Sequence, residues 1–136
     1  MPTIRPVSEI NGLKILVVED REDVRNALQA MFKALGAEVV TAEDGNAAWY
    51  LFQKHTCSIV LTDIMMPGLA VEILCERIKT KQPHVPIIVM TGSEIAKAMK
   101  LCENSRADYF LEKPFTMQNA VEAISRTLPR TAAASR

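Results

Sequence analysis

Five times along the chain a strand-length apolar run is followed by a segment in which apolar residues return every third or fourth position, and few folds accommodate that alternation. The runs are Leu13 to Val18, Glu38 to Thr41, Ser58 to Thr62, Pro86 to Met90 and Ala107 to Leu111. The helical stripes between and after them are Val24, Leu28, Met31 and Leu35; Ala48, Leu51 and Phe52; Val71, Leu74 and Ile78; Ile95, Met99 and Cys102; and Met117, Val121, Ile124 and Leu128. Gly36 stands where a helix C-cap belongs, and Asp44-Gly45 opens the second helix after a turn.

Parallel strands need crossovers, and each crossover helix covers a sheet face, so the repeat predicts an α/β domain with helices on both sides of an open parallel sheet. Right-handed crossovers, with a chain that winds outward once and then returns past its start, give a three-layer flavodoxin-like (βα)5 sandwich of strand order 2-1-3-4-5. Its ligand crevice opens at the carboxyl ends of strands 1 and 3. The expected division is an N-terminal extension over 1–12, one domain over 13–128, and a flexible tail or linker start over 129–136.

Composition excludes several classes of function. Sixteen basic residues balance 16 acidic ones, which argues against direct nucleic-acid binding or attraction to an anionic membrane. The apolar runs are far shorter than the ~20 residues of a membrane span, and the first dozen residues lack a secretory h-region, so the expected location is cytoplasmic. Cys57, Cys75 and Cys102 show no metal spacing and read as reduced thiols.

Four of the runs end in polar residues: strand 1 in Glu19-Asp20, strand 3 in Asp63, strand 4 in Thr91-Gly92, and strand 5 in Glu112-Lys113-Pro114. In the 2-1-3-4-5 order these strands are consecutive neighbours about 4.8 Å apart, so Glu19, Asp20, Asp63, Thr91 and Lys113 should meet at one rim. Carboxylates held so close repel, which raises a pKa or calls for a cation. Oxygen donors without His or Cys favour Mg2+ over zinc. Asp63 is then placed as a nucleophile toward phosphorus, with Lys113 as the fixed positive charge, Thr91 as a hydroxyl donor, and Gly92 leaving room.

Blander readings exist for these residues other than Asp63, which stands too far from the helix pattern resuming near Ala70 to cap it. Glu19-Asp20 suits the N-cap and first turn of helix 1, with Asp20 the cap. Thr91 suits a cap of helix 4, as does Ser93 followed by Glu94. Lys113 suits a solvated surface. Trp49 falls on the helix-2 stripe as core, and His55 and His84 sit in loops without partners.

Taken together, VVED, Asp63 within LTDIMMPG, MTG and EKPF resemble the receiver domain of bacterial two-component response regulators, over about Leu13 to Leu128. The resemblance implies that Asp63 accepts a phosphoryl group from a histidine kinase, a phosphotransfer protein or a small phosphodonor. It implies that Glu19, Asp20, Asp63 and the backbone carbonyl of Met65 hold Mg2+. By the same resemblance Thr91 and Phe110 are the switch residues, Tyr109 being the neighbour of the match, and the Lys113–Pro114 bond is cis. The face made by helix 4, strand 5 and helix 5 would serve a downstream protein, a fused output domain or a homodimer.

The chain departs from the family pattern after MPG. Gly68-Leu69-Ala70-Val71-Glu72 lacks a glycine found there in the family and reads one residue short, and Arg106 stands where the family often has Gly. Met65 and Ser93, each two residues past a site residue, are expected to tune the lifetime of the phosphoryl group. The competing functions are a receiver that acts only as an interaction module, an aspartyl-nucleophile phosphatase, and a flavin mononucleotide binder. A phosphatase usually carries a second acid where Met65 stands, and the acidic turn after strand 1 is unsuited to a flavin phosphate.

Overall fold

The structure is a computed structural model, which describes residues 10–65, 68–92, 95–101, 103 and 106–128. Its strands are β1 (Lys14–Val18), β2 (Glu38–Ala42), β3 (Ile59–Asp63), β4 (Ile87–Thr91) and β5 (Tyr109–Glu112). The helices are α1 (Glu22–Ala34), α2 (Gly45–Lys54), α3 (Val71–Lys81), α4 (Ile95–Leu101) and α5 (Met117–Thr127). All strand pairs are parallel, in the order β2-β1-β3-β4-β5. This is the flavodoxin-like sandwich that the alternation predicts.

Side-chain alternation along the strands divides the core in two. Ile15, Val17, Ile59, Leu61, Ile88, Met90 and Leu111 pack with Leu28 and Phe32 of α1 and with Ala120, Val121 and Ile124 of α5. Leu16, Val18, Val60, Ile87 and Val89 pack with Ala48 and Phe52 of α2 and with Leu74, Cys75 and Ile78 of α3. Strands buried on both faces show continuous apolar runs, which is why KILVV and IIVMT carry no polar alternation. Ile10, ahead of β1, is fully buried in the first cluster.

Several expectations shift in detail. Strands β3 and β4 each end one residue later than expected, because the ladder continues past them: Asp63 pairs with Met90, and the Ile64 amide donates to the Met90 carbonyl at 3.0 Å. Helix α4 turns Ala98 inward and leaves Met99 half exposed, contrary to the expected stripe; Cys102 lies outside the described residues. Met117, at the start of α5, is likewise exposed.

Asp20 does not cap α1. The N-cap is Arg21, without a side-chain cap bond, and the first-turn acids are Glu22 and Asp23. The helix starts later than expected because Glu19 is drawn inward, where its Oε2 accepts from the Arg21 amide at 3.2 Å. Asp44 caps α2 as expected, accepting from the Ala47 amide at 2.8 Å. Gly36 follows the α1 C-cap with φ +94°, a conformation natural to glycine. His55 does have a neighbour, with Lys14 Nζ 3.2 Å from its Nδ1. Trp49 packs on the second cluster, stacked with Phe52 and covered by Arg77 of α3. Arg106 reaches α3, donating to Thr80 Oγ1 at 3.2 Å and lying 3.7 Å from Glu76.

Candidate functional site

The carboxyl rim of the sheet gathers the residues that the strand ends point to. Glu19 follows β1 and continues the side-chain parity of Val17; Asp63 ends β3 on the parity of Leu61; Lys113 follows β5 on the parity of Leu111. All three therefore rise on the α1 and α5 side, and they meet. Lys113 Nζ lies 2.9 Å from Glu19 Oε1 and 3.3 Å from Asp63 Oδ2. The Lys113 backbone is tied to β4 by its amide, which donates to the Thr91 carbonyl at 2.7 Å, and the Lys113–Pro114 bond is cis.

Glu19, Asp20 and Asp63 each offer a carboxylate oxygen, all within 4.8 Å of one another. Their exposures differ: Glu19 is buried, Asp63 partly buried and Asp20 open to solvent. Arg25 of α1 holds the turn in place by donating to the Glu19 carbonyl at 2.9 Å. Three hard oxygen donors, one facing water, fit a divalent cation that keeps part of its hydration shell. Among them the ammonium of Lys113 supplies only one positive charge.

Asp63 has its carboxyl held above the usual range. Burial raises it most, the Lys113 charge opposes burial, the Glu19 charge adds to it, and hydrogen bonds from the Ile64 amide and Lys113 pull the other way. The Ile64 bond runs to Asp63 Oδ1 at 2.9 Å, which fixes the carboxylate's rotation. Oδ2 faces Lys113.

Thr91 and Phe110 belong to the opposite sheet face. Val89 pairs with Phe110 and Thr91 with Glu112, so Thr91 and Phe110 share a parity and are diagonal neighbours on the α2 and α3 side. Phe110 packs against that second cluster while Tyr109 packs against the first. Thr91 is 3% exposed. The pleat thus separates the acid and lysine group from the Thr91 and Phe110 pair, a division the strand ends alone do not reveal but the parity of each run encodes.

Met65 is 72% exposed beside Asp63, and Ser93 lies outside the described residues. A groove of about 490 Å³ follows β5 from Tyr109 to Pro114 and is closed by Asn119 and Glu122 near α5. No helix among the described residues is long and apolar enough to cross a membrane.

Comparison with known proteins agrees with this fold. A family model described as the response regulator receiver domain matches residues 15–125. The probable transcriptional regulator ycf27 of Cyanophora paradoxa is 36% identical over 124 residues, covering 90% of this chain and 51% of that protein. The response regulator protein FleR of Pseudomonas aeruginosa is 32% identical over 114 residues, covering 83% and 24% respectively. The chain therefore spans about half or less of the length of these relatives. A receiver domain protein from Clostridium thermocellum superimposes with a TM-score of 0.80 at 27% identity, covering 90% of this chain and 98% of that one.

Proposed function

The chain belongs to the response regulator receiver domain family, and we propose that it accepts a phosphoryl group on Asp63 and relays that event by rearranging Thr91 and Phe110. The observation that carries this reading is the placement of Lys113 Nζ within 3.3 Å of Asp63 and 2.9 Å of Glu19, beside three clustered carboxylates.

The Asp63 carboxylate is the nucleophile, oriented by the Ile64 amide on Oδ1 and by Lys113 beside Oδ2. It forms a bond to phosphorus as the donor's phosphorus–nitrogen or phosphorus–oxygen bond breaks; an imidazole leaving group takes a proton from solvent, whereas acetate departs as the anion. Lys113 then shifts its ammonium from Asp63 toward a phosphoryl oxygen, which offsets the new negative charge.

Glu19, Asp20, Asp63 and the backbone carbonyl of Met65 are the residues that would hold Mg2+. When bound, that ion supplies charge neutralisation for the incoming group. Asp20, facing solvent, leaves room for retained waters.

Receiver domains of this family work with histidine kinases and output domains. For this chain a histidine kinase or phosphotransfer protein is the proposed donor. A downstream protein, a fused output domain or a second copy is the proposed reader of the face made by α4, β5 and α5. The phosphoryl group favours the arrangement in which the Thr91 hydroxyl contacts it, and Phe110 follows into the space vacated on the same sheet face, a population shift rather than a new fold. The domain is a phosphoacceptor rather than a turnover enzyme.

Intact-protein mass after incubation with acetyl phosphate and Mg2+ tests the reading. The expected result is one added phosphoryl group in the wild type and none in Asp63→Ala; equal labelling of both rejects it.

A further inference from the structure

We propose, resting on the phosphoacceptor reading, that Arg25 is a positioning residue for the metal ligands. From the first turn of α1 it holds the main chain of Glu19, Asp20 and Arg21, and so fixes where the Glu19 and Asp20 carboxylates stand.

Three consecutive carbonyls beyond β1 turn toward this one residue. Arg25 Nη1 donates to the Glu19 carbonyl at 2.9 Å and lies 3.4 Å from the Asp20 carbonyl, while the Arg25 amide donates to the Arg21 carbonyl at 2.8 Å. The last of these is the ordinary bond from a first helical turn to its N-cap. The other two belong to no helix pattern; they are made by a side chain folded back over a chain that has left the sheet and whose carbonyls need partners. The helix itself does not call for a cation there, because its N-terminal end favours acids such as Glu22 and Asp23.

The turn is also tied on its other sides. The Glu19 amide donates to the Ala42 carbonyl of β2 at 3.0 Å, and the Glu19 carboxylate is held by Lys113 and by the Arg21 amide. Asp20 differs: its side chain is exposed, so the direction of its carboxylate is set by the main chain that carries it. Arg25 reaches that main chain on both sides of the Asp20 Cα, at the Glu19 and Asp20 carbonyls. Charge and brace have opposite effects on a cation. A guanidinium acting through its charge alone repels Mg2+, so removing it tightens binding; removing a brace lets the ligands spread and weakens it.

The test is a calorimetric Mg2+ titration of metal-free protein, with melting in EDTA and acetyl phosphate labelling at limiting and saturating Mg2+. The proteins are wild type, Arg25→Met, Arg25→Lys and, as a control that removes an exposed guanidinium from α5, Arg126→Met. Arg25→Met loses the donors, and its Mg2+ Kd is expected to rise about tenfold, with labelling slowed at limiting Mg2+ and returning toward the wild-type rate at saturation. Arg25→Lys keeps the charge but not the fork and is expected to lose less affinity; it decides the matter if Arg25→Met does not fold. Arg126→Met keeps the wild-type Kd. A merely structural role lowers the melting temperature in EDTA and leaves the Kd of the folded variants unchanged. An unchanged or lowered Kd in the Arg25 variants that fold overturns the inference while the phosphoacceptor reading stands. A wild type that binds Mg2+ but is never labelled overturns only that reading, and a wild type that binds no Mg2+ overturns both.

Discussion

The ammonium of Lys113 lies 2.9 Å from the carboxylate of Glu19, 94 residues earlier in the chain, and the Glu19 side chain there is 1% exposed. Burial works to lower the Lys113 pKa, but the Glu19 hydrogen bond and the charges of Asp63 and Glu19 outweigh it and raise the group above its usual value. A lysine raised in this way contributes stability that is fully present below its unfolded pKa and is lost as pH rises through the folded one. Lys113→Ala strands the Glu19 charge. The expected cost is about 1–3 kcal/mol by urea denaturation in EDTA, shrinking when Mg2+ is added because the cation takes over the compensation.

The charge on Asp63 is disfavoured by folding where that on Lys113 is favoured, yet both pKa values are raised and the pH dependence has the same sign. Its carboxyl is raised by burial and by Glu19 against the pull of Lys113, so the folded state binds more protons than the unfolded one between the usual carboxylate pKa and the raised value. Stability therefore falls as pH rises through that window. Asp63→Asn removes this liability and is expected to raise the melting temperature in EDTA at neutral pH by several degrees, with the advantage disappearing at acid pH. Thermal scans at both ends of the window check it.

Asp20 separates metal binding from folding. Its side chain is exposed, so Asp20→Ala is expected to change stability in EDTA by no more than about 0.5 kcal/mol. For the wild type, free Mg2+ at 100 times its Kd adds about 2.7 kcal/mol. Asp20→Ala loses most of that increment at the same concentration, as paired urea titrations would show.

An ion pair far from the rim, buried only on its lysine side, should respond differently to its two halves. Lys79 Nζ lies 2.7 Å from Asp108 Oδ2, and the same oxygen accepts from the Ile87 amide at 2.8 Å, joining α3 to the starts of β4 and β5. Lys79 is 9% exposed and Asp108 38%. Asp108→Ala leaves the Lys79 ammonium with the Pro83 carbonyl at 3.5 Å but no counter-charge, and the Ile87 amide without its acceptor, and is expected to cost about 2–4 kcal/mol. Lys79→Met keeps the stem's volume and strands only a half-exposed carboxylate, so it costs less. Chemical denaturation of both variants checks the order.

The sequence is most legible where runs of one kind repeat. Ile15 to Val18 and Ile87 to Val89 announce strands buried on both faces, and the polar residues that end them, Glu19, Asp63 and Lys113, fall together because parallel strands present their carboxyl ends to one rim. Contacts set by distant packing are not legible in this way. Lys79 looks like an ordinary helix-surface lysine until Asp108 is brought beside it, and Gly45 looks like a turn glycine until Leu69 lands on it. The assignment of Asp20 as a cap fails for a related reason: burial of Glu19 under Lys113 delays the helix, and that burial is a tertiary event.

Residence of the phosphoryl group on Asp63 can be read directly from the chain. After acetyl phosphate and Mg2+ treatment, borohydride reduction converts an aspartyl phosphate to homoserine, which peptide mass spectrometry can place in the chain. Homoserine is expected at position 63 and nowhere else; homoserine at another aspartate, or none at all in fully treated protein, rules out Asp63 as the acceptor.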